Sequence, residues 1–182
     1  MISWKGIENN SETIENLKIS NDSKNIKIKS VVNGFKNNHP IAIKYFLNLN
    51  LDWNFTSVKI ESLLDSKPDI QLKVNSDGKW FNENNLHLEQ LEGATDIDIS
   101  ITPFTNSLPI NRLKEKLKER TELTVVYIDL LNWNIHSVKQ YYTKLQDQIF
   151  YYEGVSSGFK SKIFTDENGI VLNYPDLFER VN

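Results

Sequence analysis

The sequence has no cysteine, no long apolar run and no concentration of positive charge. The absence of cysteine excludes disulfides, thiolate metal sites and a catalytic thiol. No run approaches the ~18 apolar residues of a membrane span, and the amino terminus lacks a signal region, which together predict a cytoplasmic protein. The 21 Lys and Arg against 24 Asp and Glu give a net charge of -3, so the electrostatic footprint of a nucleic-acid-binding protein is missing.

The chain does contain enough apolar material for a core. Its 182 residues are 39% hydrophobic, and a chain of this length buries roughly 70% of the surface that it exposes when unfolded. No low-complexity linker and no shift in composition interrupts it. We therefore expect residues 1–182 to form a single domain that needs no disulfide or metal to hold it together.

Apolar residues recur at every second position, which is typical of half-buried antiparallel strands. The clearest alternating segments are 26–31, 57–61, 70–74 and 96–101. Segments 121–131 and 138–152 are rich in β-branched and aromatic residues, and each is predicted to be a long strand. Turn signals lie at Asn33-Gly34, Asp77-Gly78, Glu92-Gly93 and Asn168-Gly169. The pattern predicts a mainly β fold.

Two further segments have helical character. Segment 112–120 alternates Leu with Lys and Glu, which fits either a helical turn or an exposed strand. Segment 176–180 follows Pro175 and is predicted to form a short terminal helix.

Residues 52–59 and 132–139 resemble each other position by position, from Asp52-Trp53-Asn54 and Asn132-Trp133-Asn134 onward. The match can arise by chance, or it can mark an internal duplication in which two meanders form one sheet that curls on itself. Trp53 and Trp133 would then lie at equivalent strand entrances near the rim. There a ring could stack on a sugar or cover an apolar tail, whereas most other aromatic residues are expected in the core.

The densest group of unusual residues is segment 93–113. Pro103 and Pro109 each remove a backbone donor, so we expect the strand to end near Thr102 and a loop to follow. Asp96, Asp98, Ser100 and Thr102 share one face of the strand. If this face contacts solvent, the four side chains are ordinary surface residues. If it lines the inside of a concave sheet, they would form a row of acceptors and hydroxyls suited to a sugar or a polar head group.

Asp96 and Asp98 also permit a glycosidase hypothesis, because paired carboxylates do acid and base work. Neighbours on one strand face are poorly placed to flank a bond, however. Arg112 lies downstream and could neutralise either aspartate, which lowers the pKa of a carboxyl group instead of raising it. The alternative is a structural ion pair.

The common catalytic and metal-binding motifs are missing. His39, His87 and His136 have no partner at a recognised ligand spacing, and the chain has no phosphate loop, nucleophile elbow or zinc-binding helix. The sequence therefore predicts no metal, no cofactor and no catalytic residue.

Segment 96–113, which contains Thr102-Pro103-Phe104-Thr105-Asn106, resembles the signature of the bacterial putative glycolipid-binding family. The similarity extends along the chain through Trp4, Glu15-Asn16-Leu17, Val31-Val32-Asn33-Gly34, Tyr45, Trp53, Asp77-Gly78-Lys79-Trp80, Tyr127, Gln140-Tyr141-Tyr142-Thr143, Phe159 and 169–175. The chain departs from the family pattern at Ala94, where a cysteine is usual, and at Asn111, where a second arginine is usual. The resemblance implies a spiral β-roll, similar to the lipoprotein carriers that hold acyl chains in a half-open barrel, and it implies glycolipid binding.

We therefore predict non-catalytic binding of an amphipathic small molecule, a glycolipid, in a concave apolar groove with a polar mouth. The predicted ligand-binding residues are Asp96, Asp98, Thr102, Thr105, Asn106, Arg112, Trp53 and Trp133. Two alternatives stay open. One is an enzyme that acts on a sugar or lipid through Asp96 or Asp98, and the other is a structural or protein-binding module that uses an exposed sheet edge.

Overall fold

A single curled sheet dominates the computed structural model, which describes residues 1–64 and 67–182. The first strands are β1 (Ile2–Gly6), β2 (Ser11–Asn21), β3 (Asn25–Lys36), β4 (His39–Asn50), β5 (Phe55–Ser62), β6 (Ile70–Val74) and β7 (Trp80–Asn82). The remaining strands are β8 (Asp96–Ile99), β9 (Thr121–Asp129), β10 (Asn134–Gln146), β11 (Ile149–Gly154), β12 (Lys160–Thr165), β13 (Val171–Tyr174) and β14 (Phe178–Arg180). The other elements of the described residues are helix α1 (Ser107–Leu113) and short 3-10 turns at Glu89–Leu91, Phe104–Asn106 and Lys114–Lys118.

The sheet consists of a first meander, β1 to β7, and a second meander, β8 to β14, which meet where the two ends of the chain pair. Its order is β7-β6-β5-β4-β3-β2-β1-β14-β13-β12-β11-β10-β9-β8, and β1 pairs antiparallel with β14 through contacts such as Lys5 opposite Glu179. The two edges, β7 and β8, are consecutive in the chain, and the sheet does not close between them. These features confirm the predicted fold class of a mainly β, curled open sheet.

The strands form because their apolar residues alternate in register with the pleat. In β4 the inward positions are fully or almost fully buried, and they are Ile41, Ile43, Tyr45, Leu47 and Leu49. Phe55 stacks on Trp80 with ring centroids 4.9 Å apart, and the Trp80 indole donates to the Ala94 carbonyl at 3.2 Å. These contacts join the first meander to the chain that leads into β8.

Strand β8 differs from the expected half-buried antiparallel strand. It pairs with β9 in parallel, and Asp96, Ile97 and Ile99 are all buried. The loop that follows covers its free edge, since the Ile99 amide donates to Thr105 Oγ1 at 3.2 Å. A covered edge strand presents no open row of backbone groups to a second chain.

The predicted loop after Thr102 is mostly helical. The chain forms a 3-10 turn and then α1, with Pro109 as the third residue of that helix. A proline is tolerated there because the first four amides of a helix have no intrahelical acceptor. The segment 112–120, which was ambiguous in the sequence, contains the end of α1 and the 3-10 turn Lys114–Lys118.

One predicted turn is wrong. Asn33-Gly34 lies inside β3, and the chain turns instead at Asn37 and Asn38, whose φ angles are 51° and 62°. Gly34 has φ 137°, and a Cβ at this position would lie 2.0 Å from the Glu12 carbonyl oxygen. The glycine therefore permits close pairing with β2 and does not reverse the chain.

Two other segment predictions need correction. Segment 138–152 is extended as predicted, but it is split between β10 and β11 by a turn in which Gln148 has φ 64°. Segment 176–180 is not a helix: Asp176 has φ 66°, the Leu177 amide donates to the Tyr174 carbonyl, and β14 follows. The resulting hairpin gives the chain end a partner in the sheet, which a short exposed helix would lack.

The two similar segments adopt the same secondary structure. Trp53 and Trp133 each lie in a hairpin turn, between β4 and β5 and between β9 and β10, with φ angles of 64° and 54°. Only the first hairpin contains a bulge, at Asn48/Leu49. The equivalent positions agree with the prediction, and an origin by duplication stays a prediction.

Candidate functional site

A partly open cavity of about 370 Å³ lies on the inner side of the second meander. Its walls come from β8 to β11 and the segment after β8, from β13 and β14, from the end of β3, and from the turns that follow β1 and β11. The aromatic and polar residues that line it include Asp98, Ser100, Thr102, Asn106, Tyr127, Gln140, Tyr152, Phe159, Tyr174 and Phe178, with Glu8 and Lys36 in the outer wall. Its volume is within the range of about 300–1,000 Å³ that is usual for small-molecule sites.

Asp98 supplies one of the two carboxylates that line this cavity, and Glu8 supplies the other. Gln140 Nε2 donates to its Oδ2 at 2.6 Å, and Thr105 Oγ1 donates to its Oδ1 at 3.3 Å. Neither donor is charged, and no ion-pair partner of Asp98 is found among the described residues. Burial therefore raises the pKa of Asp98, and the two hydrogen bonds offset this rise only in part.

Asp96 has a different environment although it lies only two residues away. Its carboxylate is fully buried and accepts hydrogen bonds from Arg112 Nε at 3.3 Å, from Arg112 Nη2, and from Thr95 Oγ1 at 2.9 Å. Neither Asp96 nor Arg112 lines the cavity. The structural ion pair is therefore the alternative that the geometry favours for these two residues.

The remaining polar residues of segment 96–113 belong to separate networks. Thr102 Oγ1 donates to Glu15 Oε2 at 2.5 Å and accepts from the Phe104 amide at 3.0 Å. Asn106 Oδ1 accepts from the Tyr142 hydroxyl at 2.8 Å. The six predicted residues of this segment do not surround one polar feature, because only Asp98, Thr102 and Asn106 line the cavity.

The two predicted tryptophans lie outside the cavity. Trp53 is half-buried and packs against Phe104, with ring centroids 6.5 Å apart. The Trp133 indole donates to the Pro68 carbonyl at 3.0 Å, and the Lys67 ammonium lies 4.9 Å from its ring centroid. Their contacts are with the protein's own loops.

Glu15 is a buried carboxyl group that the sequence analysis did not identify as a site residue. It accepts hydrogen bonds from Ser30 Oγ at 2.7 Å, Tyr45 OH at 2.6 Å and Thr102 Oγ1. Burial raises its pKa, and the three hydrogen bonds lower it. The available signal was its inward position in β2, between the buried Thr13 and Leu17. This network fixes Thr102, and thus part of the cavity wall, to the first meander.

The tyrosines of the cavity were also missed as site residues. Tyr127, Tyr152 and Tyr174 come from three different strands, and the rings of Tyr152 and Tyr174 make an edge contact at 6.1 Å. Burial raises the pKa of Tyr127 to about 12 and raises the pKa values of the other two as well. All three hydroxyls therefore stay protonated at neutral pH and can donate to a ligand.

The cavity has the chemistry of a binding site for a polar molecule with an apolar part. Within residues 1–64 and 67–182, no group of three or more His, Asp and Glu side chains is arranged to hold a metal ion. Among the same residues, no helix is long and apolar enough to span a membrane.

The fold and the cavity define an open, curled β-roll with one aromatic-lined site. By its sequence the chain belongs to the putative glycolipid-binding family, whose profile matches residues 1–180. It is also similar to a DUF1089 family protein from Pseudomonas aeruginosa of known crystal structure, with 28% sequence identity, 92% coverage of each chain and a TM-score of 0.78. No curated protein matches the chain significantly.

Proposed function

We propose that this protein binds a glycolipid or a similar amphipathic molecule, with the sugar head group beside Asp98. The observation that carries the proposal is the cavity-lining Asp98 carboxylate with only two neutral donors. An ionised carboxylate has about four acceptor positions. Two positions are therefore free to accept hydrogen bonds from sugar hydroxyls.

The ring-lined part of the cavity suits the less polar part of such a ligand. Tyr152, Phe159 and Tyr174 form a group of rings with centroids 6.0 to 6.2 Å apart, and Phe178 lies in the same wall. Rings bury large areas of apolar surface and pack against the C–H faces of sugars or acyl chains. At about 370 Å³ the cavity has room for a head group and a short apolar segment.

The family description supports a glycolipid as the ligand class. The cytoplasmic location, the extent of a single domain over 1–182 and the identity of the lipid stay predictions. The alternative of a protein-binding module needs an exposed sheet edge. The loop after β8 covers one edge, and the other edge strand, β7, has only three residues.

Calorimetric titration with octyl β-glucoside below its micelle concentration tests the proposal. We expect the wild-type protein to bind this probe, and we expect Asp98→Asn to weaken binding about tenfold or more, because a hydrogen bond to a charged group is lost. Asp77→Asn is the matched control, since Asp77 lies in the exposed turn between β6 and β7. We expect this control variant to bind as the wild type does.

Native mass spectrometry of the protein purified from its own host extends the test to the natural ligand. A bound lipid would be weighed directly. Bare protein in this experiment, together with no heat of binding from octyl β-glucoside, would contradict the proposal.

A second candidate function is hydrolysis with Asp98 as general acid. The raised pKa of Asp98 favours it, because a carboxyl group must keep its proton to act as an acid. The second carboxylate in the cavity wall, Glu8, forms an ion pair with Lys36. Release of nitrophenol from nitrophenyl glycosides by the wild type but not by Asp98→Asn would favour this candidate over simple binding.

A further inference from the structure

The outer face of the first meander carries a row of lysines that the linear sequence conceals. Lys18 of β2 lies opposite Lys29 of β3. Lys29 in turn lies opposite Phe46 of β4, which lies opposite Lys59 of β5. Neighbouring strands are about 4.8 Å apart, so this row extends over about 14 Å.

Positive charge exceeds negative charge on this face. Among the described residues of β2 to β6, the outward positions hold two glutamates, Glu12 and Glu61, and six lysines, which are Lys18, Lys27, Lys29, Lys44, Lys59 and Lys73. Glu61 pairs with Lys44 and Lys59, and two aspartates next to these strands also pair with lysines, Asp22 with Lys27 and Asp69 with Lys59. Lys18 and Lys29 are exposed and have no carboxylate at ion-pair distance within the described chain. This face is therefore basic although the protein as a whole carries a charge of -3.

The other end of the same face carries three exposed apolar side chains, with Glu12 of β2 opposite one of them, Phe35. Ile14, Phe35 and Leu63 are 39%, 55% and 52% exposed. Ile14 lies opposite Asn33, which lies opposite Ala42, and the Leu63 amide donates to the Ala42 carbonyl. Lys18 lies four positions after Ile14 in β2, which places the apolar end about 13 Å from the lysine row.

We propose that this outer face of β2 to β5, with Ile14, Phe35 and Leu63 at one end and the lysine row at the other, docks on an anionic membrane surface. We call it the docking face. Lysines near an anionic bilayer are attracted to its head groups, while apolar side chains enter the boundary between head groups and acyl chains. A nucleic acid would account for the lysines but would leave the exposed apolar end without a partner.

The docking face adjoins the cavity at the end of β3. Phe35 points outward, and its neighbour Lys36 points to the opposite face, where it pairs with Glu8 in the cavity wall. A membrane bound at the apolar end therefore lies next to the cavity wall. Docking goes beyond ligand binding in the cavity and does not depend on it.

Cosedimentation with lipid vesicles, without any cavity ligand, tests the docking face. We expect the wild type to bind vesicles of equal parts phosphatidylglycerol and phosphatidylcholine, to bind pure phosphatidylcholine much less, and to dissociate as added salt screens the charges. The variant Lys18→Glu/Lys29→Glu should weaken binding by at least about 30-fold, since each lysine near the surface contributes about 1 kcal/mol. The matched control Lys116→Glu/Lys162→Glu changes net charge equally at exposed positions outside the docking face and should weaken binding by less than about threefold.

The apolar end has its own variant and control. Phe35→Ser/Leu63→Ser should weaken vesicle binding about tenfold, because less apolar surface enters the bilayer boundary. Leu86→Ser/Leu145→Ser removes comparable exposed side chains, 62% and 47% exposed, away from the docking face and should leave binding unchanged. Circular dichroism establishes that each variant is folded before its binding is compared.

Three results would overturn the inference. One is no cosedimentation of the wild type with anionic vesicles at low salt. Another is an equal loss of vesicle binding in each variant and in its control. That result would show that binding depends only on net charge or on the total exposed apolar surface. The third is binding of single-stranded DNA by the wild type, lost in Lys18→Glu/Lys29→Glu, together with no binding of vesicles. That result would assign the lysine row to a nucleic acid.

Discussion

Asp96 and Asp98 are the same residue type on the same strand, yet their environments differ. Asp96 is fully buried and forms an ion pair with Arg112, whose side chain is 15% exposed. Asp98 lines a cavity and has hydrogen bonds only from Gln140 and Thr105. The contrast teaches that a pair of carboxylates acquires its chemistry from what packs against each member.

The difference arises because α1, which follows β8 in the chain, brings Arg112 back to the first residue of that strand. Arg112 lies in the last turn of that helix, and its side chain reaches the Asp96 end of β8. At the Asp98 end, β8 faces Gln140 of β10 and the Thr105 turn. One carboxylate therefore holds the fold together, while the other is left with free acceptor positions.

The largest expected difference between the two aspartates is in stability. Asp96→Asn should lower the free energy of unfolding by about 3 kcal/mol, because it leaves a largely buried arginine without its counter-ion. Asp98→Asn should change the same quantity by about 1 kcal/mol or less at neutral pH, because the amide still accepts a hydrogen bond from Gln140. Urea denaturation of the two variants measures both effects.

A double-mutant cycle controls this prediction. If Asp96 and Arg112 act as a pair, the variant Asp96→Asn/Arg112→Gln should be more stable than the sum of the two single losses predicts. Strictly additive losses would show that Asp96 matters for some reason other than its ion pair.

The second expected difference is in pH dependence. Burial raises the pKa values of Asp98 and Glu15, so the folded state binds these protons more tightly than the unfolded state. The stabilising contribution of each group is fully present below its unfolded pKa and is lost as the pH rises through its folded pKa. Relative to the wild type, Asp98→Asn should therefore gain stability over a pH range that begins near 4, the ordinary pKa of an aspartic acid, and ends at the raised pKa of Asp98 in the folded protein.

Urea denaturation across this pH range measures the gain. Glu15→Gln tests the same sign at the second buried carboxyl group, which has no counter-ion among its hydrogen-bond partners. If the profiles of Asp98→Asn and the wild type run parallel, the pKa of Asp98 is not raised in the folded protein and the contrast with Asp96 is weaker than the geometry indicates.

The smallest expected effect on stability concerns Thr95, an exposed residue beside the ion pair of Asp96 and Arg112. Its Oγ1 donates to Asp96 and accepts from Arg112 Nη2 at 3.2 Å. Thr95→Val should cost about 0.5 kcal/mol, since exposed partners of an ion pair contribute little. Thr95→Ser keeps the hydroxyl and should match the wild type in thermal unfolding. A loss above about 2 kcal/mol would place Thr95 within the buried network.

The sheet was predictable because alternation is a local signal. Segments 26–31, 57–61 and 70–74 all lie in strands, and their apolar positions are buried except Val31 and Val74, which are half-buried. Features that depend on a distant partner were not predictable. Gly34 resembles a turn glycine until Glu12 of the neighbouring strand is seen beside it, and β8 resembles a half-buried strand until its parallel pairing with β9 covers it.

The site was predictable only in part for the same reason. The sequence singled out Asp98 and Thr102 because polar residues share one face of their strand, and Asn106 because it lies in a polar segment between two prolines. It missed Glu15 and the cavity tyrosines because one inward polar residue in a strand, or one tyrosine among seven, is unremarkable until the sheet curls. The lysine row was missed because its members are far apart in sequence and adjacent only across strands.

The pairing of β1 with β14 has a consequence for how the chain folds. Apart from the parallel pair of β8 and β9, each meander is built from hairpins whose partners are near in sequence, so each can form early and independently. The seam between them joins opposite ends of the chain and must close late. During synthesis, β1 keeps an unpaired edge until β14 has left the ribosome, and such an edge is a template for aggregation. Removing the residues of β14 would therefore leave a chain whose two meanders cannot join. Its first meander could still form, but the edge of β1 would stay unpaired.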